Sequence, residues 1–167
     1  NVDVSAGHPQ LPQILSLLGF KYYRCWRPQG AMDAKGIPRQ FIWRSPDNSS
    51  ILCSRGTYAG IWKTDYLNTD EFFEEDGKLE KFFSNELEEI ISLNSTGVIW
   101  LPFGMDDTRP LRDVHDNPIN MDGLMEYMSD SSDTDISYSI SDAYFNQLSK
   151  YPLPEHVGSL DPCEVSY

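Results

Sequence analysis

Two places in this 167-residue chain set acidic and basic side chains where they could do chemistry. The first is residues 3–27: Asp3 on a small-residue turn, an apolar-faced helix, then an aromatic strand that closes on Arg27. Active sites of α/β folds gather at the carboxyl ends of strands, so this order sets a carboxylate and a guanidinium at the mouths of two neighbouring units. The second is Gly104-Met105-Asp106-Asp107-Thr108-Arg109-Pro110, directly after the apolar run 98–103. Glycine lets the backbone turn, two carboxylates project from the strand end, and Arg109 can hold one of them in a charge-assisted fork. Two adjacent carboxylates can also force one pKa upward, which is what a general acid needs near neutral pH. The same residue types build ordinary turns and helix caps. Asp3 or Arg27 taken singly would be an unremarkable surface residue.

Other reactive side chains give less. His8, His115 and His156 form no HxxxH or similar pair, so none reads as a metal ligand by spacing. His8 beside Pro9 fits a cap for the first helix. Cys25, Cys53 and Cys163 are an odd, widely spaced set without a CxxC pair. They read as two buried strand thiols and one exposed thiol near the end. Trp26, Trp43, Trp62 and Trp100 could stack on sugar rings, with core packing as the default for each. Asn48-Ser49-Ser50 and Asn94-Ser95-Thr96 match the glycosylation acceptor pattern, which is common by chance.

The hydrophobic fraction of 40% and aromatic fraction of 13% describe a globular chain long enough for a real core. A formal net charge of −13 argues against nucleic acid or an anionic membrane as the main partner, because phosphates would be repelled. Neutral ligands such as sugars remain open. No run approaches the roughly 20 apolar residues of a membrane span. No signal peptide is visible, and the chain opens at Asn1 inside a motif, so the reading expects further sequence upstream.

The elements that must position these residues can be read in order. Leu11, Ile14, Leu15 and Leu18 fall on one face of a helix starting near Pro9, and Gly19 stops it. Residues 20–26 form a strand and residues 28–38 a loop. Residues 41–44 and 51–55 form a hairpin around the turn-rich 45–49. A long helix from about Glu71 carries Leu79, Phe82, Phe83, Leu87, Ile90 and Ile91, and ends over 94–97. Residues 98–103 are expected as a central parallel strand buried on both faces. Asn117-Pro118 opens a helix with Met121, Leu124, Met125 and Met128. A Ser/Asp loop over 129–135, a short strand over 136–140 and a helix capped by Ser141 follow. Residues 1–151 read as one α/β unit with an inserted hairpin, and the proline-bearing 152–167 as a tail or linker.

The run Asp3-Val4-Ser5-Ala6-Gly7-His8-Pro9-Gln10-Leu11-Pro12-Gln13-Ile14-Leu15 resembles the nucleophile segment of glycoside hydrolase family 38, the α-mannosidases. Pro12 stands nine residues after Asp3, and Arg27 falls where that family has an arginine after the next strand begins. Phe41-Ile42-Trp43-Arg44 with Pro46-Asp47-Asn48 resembles its aromatic strand and turn, and Tyr58 follows where a sugar-facing tyrosine is usual. Residues 101–109 resemble its acid loop, and Ser141-Asp142-Ala143-Tyr144-Phe145 its closing helix. The resemblance implies a distorted (β/α)7 barrel of which this chain is the C-terminal part. It implies retaining hydrolysis of α-mannosides, with Asp3 as nucleophile and Asp107 (or Asp106) as acid and base. Arg27, Tyr58 and Arg109 would bind substrate. A zinc ion would be held by Asp3 and by ligands outside this chain, so the isolated chain is expected to be inactive. The implied partners are a mannose-containing glycan and the rest of the same polypeptide, and a homo-oligomer is compatible with this. Ser5 and Ala6 replace the family's aromatic and glycine, which keeps two alternatives in view. One is a non-catalytic carbohydrate-binding relative, the other a different α/β-barrel hydrolase such as a polysaccharide deacetylase.

Overall fold

The computed structural model describes residues 7–56, 90–102, 122, 125–126, 129–130 and 135–160. The chain divides into two compact units, one of Asn1–Thr57, Leu93–Ile99 and Ser141–Tyr167, the other of Tyr58–Ser92 and Trp100–Ile140. The elements of the first unit are α1 (Leu11–Leu17), β1 (Tyr22–Cys25), α2 (Gln29–Ala34), β2 (Gln40–Arg44), β3 (Ser50–Arg55), α3 (Ser141–Leu148) and β4 (Glu155–Val157). The strands make one mixed sheet in the order β1-β3-β2-β4. β1 runs parallel to β3, β2 runs antiparallel to β3, and β4 runs parallel to β2. The fold is mixed α/β, and among the described residues the sheet is open.

Strand alternation sorts side chains onto two faces. Tyr23, Cys25, Phe41, Trp43, Ile51 and Cys53 share one face, and with Met32, Ile37 and Leu160 they make the buried core. Leu11 and Leu15 of α1 pack against it. Tyr22, Arg24, Gln40 and Ser54 lie on the other face, under α3. There Tyr22 stacks on Phe145 at 4.7 Å, and Tyr144 meets Ser54 and Gln40. The sheet is therefore layered by helices on both sides.

Both short helices end in the same device. Gly19 N–H bonds Ser16 O and Phe20 N–H bonds Leu15 O, while Gly36 N–H bonds Asp33 O and Ile37 N–H bonds Met32 O. These are Schellman motifs, and each needs a left-handed residue after the helix. Gly19 (φ 83°) and Gly36 (φ 66°) supply it. Arg55 then closes α2: its Nε donates to Ile37 O and Pro38 O at 3.1 and 2.9 Å, and its Nη2 also donates to Ile37 O. Its Nη1 sits 2.7 Å from Asp33 Oδ1, an ion pair rather than an aligned hydrogen bond, since no acceptor lies along the Nη1 hydrogens.

Several expectations are met: α1 and its glycine stop, the strand holding residues 22–25, the β2–β3 hairpin, and α3 with Tyr144, Phe145 and Leu148 buried. Residues 90–93 are helical, and the helix stops before Asn94 as read. Others are corrected. Residues 28–38 are not a plain loop, because Gln29–Ala34 is helical and anchors Met32 at 0% exposure. The glycines there mark the ends of a helix, not its absence. Residues 98–102 form no strand; Val98 O accepts from the Gln40 side chain and Val98 N–H donates to Thr96 Oγ1, so side chains take the bonds a ladder would use. Residues 136–140 form no strand either and are mostly exposed. On α1, Ile14 and Leu18 face solvent at 50% and 69% exposure, and Leu11, Pro12 and Leu15 turn inward. Within 152–167, residues Glu155–Val157 pair with β2 and Leu160 is buried. The helix expected over 71–89 and the start of the helix from Asn117 lie outside the described residues.

Candidate active site

β1 and β3 run parallel and side by side, so their carboxyl ends open at one edge of the sheet, opposite the carboxyl ends of the β2–β4 pair. Residues 26–28 leave β1 there, and Gly56 leaves β3 with its N–H bonded to Cys25 O at 3.0 Å. Arg27 is exposed, and its guanidinium carbon lies 5.2 Å from the centre of the Trp26 ring. A cation over an indole face is held by the ring's quadrupole, which fixes where the charge is offered. The Arg27–Pro28 peptide bond is cis. Gln29 opens α2 beside it, and its Oε1 is buried without a hydrogen-bond partner among the described residues. A sugar hydroxyl or a water is the kind of donor such an acceptor takes.

Arg24, three residues earlier, occupies the sheet face under α3. Its Nη1 donates to Ser54 Oγ at 3.3 Å. A side chain built at Gly56 would meet its guanidinium at 3.5 Å, so the charge lies against the end of β3. Burial lowers the Arg24 pKa, opposed by the charges of Tyr144 and Cys25. From Ser54 a buried polar chain continues. Ser54 Oγ and Tyr144 Oη share a hydrogen bond of 2.9 Å, and Gln40 Nε2 donates to Tyr144 Oη at 3.2 Å and to Val98 O at 2.6 Å. Thr96 Oγ1 donates to Gln40 Oε1 at 2.8 Å. Sequence reasoning passed over Arg24, Gln29 and this chain. The available signal was a charged residue in an aromatic strand, with alternation setting it opposite Tyr23 and Cys25.

The segment leading into α1 is pinned at the other edge. Gly7 O accepts from Leu160 N–H and Ser159 Oγ, each at 2.9 Å. Ser45 Oγ donates to Pro9 O at 2.9 Å and accepts from Gln13 N–H at 3.0 Å. Ser45 and residues 158–160 follow the carboxyl ends of β2 and β4, which is the amino end of antiparallel β3 and of β1. Gly7 and Arg27 thus sit at opposite edges of the sheet. His8 Nδ1 accepts from Gln10 N–H at 3.2 Å, but Gln10 is itself the N-cap position and the first-turn N–H of Gln13 goes to Ser45 Oγ, so His8 is not the cap expected of it. Of the candidate catalytic, substrate-binding and metal-binding residues, Arg27 alone is described; Asp3, Tyr58, Asp106, Asp107 and Arg109 lie outside the described residues. Among the described residues no three His, Cys, Asp or Glu side chains converge as a metal site would require. No described helix is long and apolar enough to cross a membrane.

Glycoside hydrolases are the class to which the comparison with known families assigns this chain. Residues 2–158 match the family model described as the glycosyl hydrolases family 38 N-terminal domain, and the chain belongs to that family. No curated protein matches it.

Proposed function

We propose that the protein is a retaining α-mannosidase whose nucleophile is Asp3 and whose acid and base is Asp107 or Asp106. Family membership over residues 2–158 is the observation that carries this reading. In the first step the Asp3 carboxylate attacks the anomeric carbon while the second carboxyl protonates the departing glycosidic oxygen. In the second step that carboxylate takes a proton from water, which displaces Asp3 and restores the α configuration. Such carboxyl pairs stand about 5–5.5 Å apart. Arg27, held against Trp26 at the strand end, would pair with the carboxylates and orient the sugar. Tyr58 and Arg109 complete the substrate contacts.

The chain sets a condition on this arrangement. Four residues span at most about 14 Å between Gly7 and Asp3, and the six residues of β3, which run from the Ser45 edge to the Gly56 edge, rise about 17–20 Å. Even an extended run over 3–7 leaves Asp3 short of the Arg27 edge, so the reading requires the entry to α1 to be seated differently in the complete protein. The open sheet is proposed to be part of a (β/α)7 barrel whose other strands complete the pocket. Zinc bound at Asp3, with its other ligands beyond this chain, would act as a Lewis acid toward the sugar hydroxyls. The implied substrate is a mannose-containing oligosaccharide.

The test is hydrolysis of an aryl α-mannoside by the protein that carries this chain. Asp3→Ala should abolish turnover, Asp107→Asn or Asp106→Asn should lower it by about 10²–10⁴-fold, and the first-formed product should be the α-anomer. Unchanged turnover in Asp3→Ala would sink the reading. Ser5 and Ala6 favour a second reading, a carbohydrate-binding relative without chemistry. Calorimetric mannoside binding with no hydrolysis in the same sample would select it.

A further inference from the structure

Two Asn-x-Ser/Thr triplets occur in the chain, and the structure treats them oppositely. Asn48 is exposed at the tip of the β2–β3 hairpin with φ 69°, the left-handed region that asparagine tolerates in turns. The turn uses its backbone, since its N–H bonds Ser45 O at 2.9 Å and its carbonyl accepts from Arg44 Nη1 at 3.1 Å. Its side-chain amide makes no hydrogen bond among the described residues. The neighbouring Asp47 carboxylate takes Ser49 N–H and Ser49 Oγ, and leaves the third residue, Ser50, exposed. Both functional groups of this triplet are available at a chain reversal.

The other triplet is closed. Thr96 is 8% exposed, and its hydroxyl donates to Gln40 Oε1 at 2.8 Å while accepting from Val98 N–H at 3.1 Å. A transferase that must engage the third-position hydroxyl would have to break the buried chain running through Gln40 and Tyr144. The pattern alone gives no reason to separate the two, and threonine stands in the closed one.

We propose that Asn48 is an acceptor for N-linked glycan on the folded protein and that Asn94 is not. The donor class is an oligosaccharide carried on a lipid diphosphate. The Asn48 amide nitrogen forms the bond to the anomeric carbon, the anomeric C–O bond breaks, the lipid diphosphate leaves with the electron pair, and the amide releases one proton. A single glycan at the hairpin tip extends away from the carboxyl ends of β1 and β3, since the β2–β3 turn lies at their amino edge.

The experiment incubates the folded chain with a single-subunit eukaryotic-type oligosaccharyltransferase and a lipid-diphosphate oligosaccharide, read by intact mass and peptide mapping. Synthetic peptides 44–54 and 90–100 serve as unfolded references. Both peptides should be modified, whereas the folded chain should gain one glycan, at Asn48. Ser50→Ala, which keeps Asn48 in its turn, should gain none, and Asn94→Gln should still gain one. A glycan at Asn94 in the folded chain, or none at Asn48, overturns the proposal. A refractory 90–100 peptide overturns the claim that folding is what closes the second site.

Discussion

Replacing Tyr144 by phenylalanine removes one oxygen from the middle of the buried chain and leaves the ring contacts with Phe145 in place. The lost oxygen shares a hydrogen bond with Ser54 at 2.9 Å and accepts from Gln40 Nε2 at 3.2 Å. Neither partner is stranded, because Gln40 Nε2 keeps Val98 O at 2.6 Å and Ser54 Oγ keeps Arg24 at 3.3 Å. The cost is therefore that of two net hydrogen bonds, about 1–3 kcal/mol, without a full desolvation penalty. For a chain of this length each kcal/mol moves the thermal midpoint by about 2–4 °C. Gln40→Leu should cost more, because Val98 O loses its 2.6 Å donor and Thr96 Oγ1 loses its 2.8 Å acceptor. Urea unfolding of both single variants and of the double variant gives the coupling, expected at about 1 kcal/mol for residues in direct contact. Additive effects, or a Tyr144→Phe variant as stable as the parent, would refute the idea that these groups act as one network.

Burial lifts the Cys25 thiol to about 11 and raises the Cys53 thiol well above its ordinary value, so neither forms thiolate at pH 8. Iodoacetamide followed by peptide mapping should label both only at the rate of unfolding, and labelling as fast as a free peptide would contradict their burial. Burial lowers the His156 pKa below 6.5, and the hydrogen bond from Arg44 lowers that of Glu155 below 4.5. Both groups bind protons more weakly when folded. Their contributions are therefore full above 6.5 and 4.5, respectively, and are lost as pH falls through the folded values. The urea midpoint should drop between pH 7.5 and 5, and His156→Gln should flatten that slope. Ending the chain at Pro154 leaves the buried Trp43 indole N–H without Gly158 O at 2.7 Å and removes the Leu160 plug. An orphaned donor of about 1–3 kcal/mol and a lost core side chain of about 1.5–3 kcal/mol should shift the tryptophan emission to the red. An unshifted spectrum would show that the core closes without β4.

Local chemistry was the legible part of this fold. Gly19, the hairpin around Pro46-Asp47-Asn48 and the Ser141 helix declare themselves through turn residues and periodicity, and the structure has all three. α2 was hidden because Gly30 and Gly36 look like breakers, although one lies in the first turn and the other caps the end. The apolar run at 98–102 was misleading: hydrophobicity cannot reveal that the Gln40 carboxamide takes the backbone group a neighbouring strand would need. Ile14 and Leu18 fit the helical period yet face outward, since the seven-residue helix turns Leu11, Pro12 and Leu15 inward. Of the candidate site, the position of Arg27 just beyond β1 was legible from the aromatic strand before it. Arg24 and Gln29 were not, because their significance comes from Ser54, Gly56 and an unmatched acceptor, which are tertiary facts.

The clasp between Gly7 and residues 159–160 ties together positions 152 residues apart. Long-range closure of this kind raises contact order and slows folding, because the intervening chain must be ordered first. It also sets a timetable during synthesis. From Arg55, the last residue of the hairpin, to Leu160 is 160 − 55 = 105 residues, roughly 5–20 s at ribosomal elongation rates. Throughout that interval the β2 edge that will receive β4 is unpaired, and Trp43 has no acceptor for its indole. A nascent chain in this state is a ready client for a chaperone that recognises aromatic-rich strand edges. Its passage to the finished sheet is set by translation, not by the hairpin's own rate of formation.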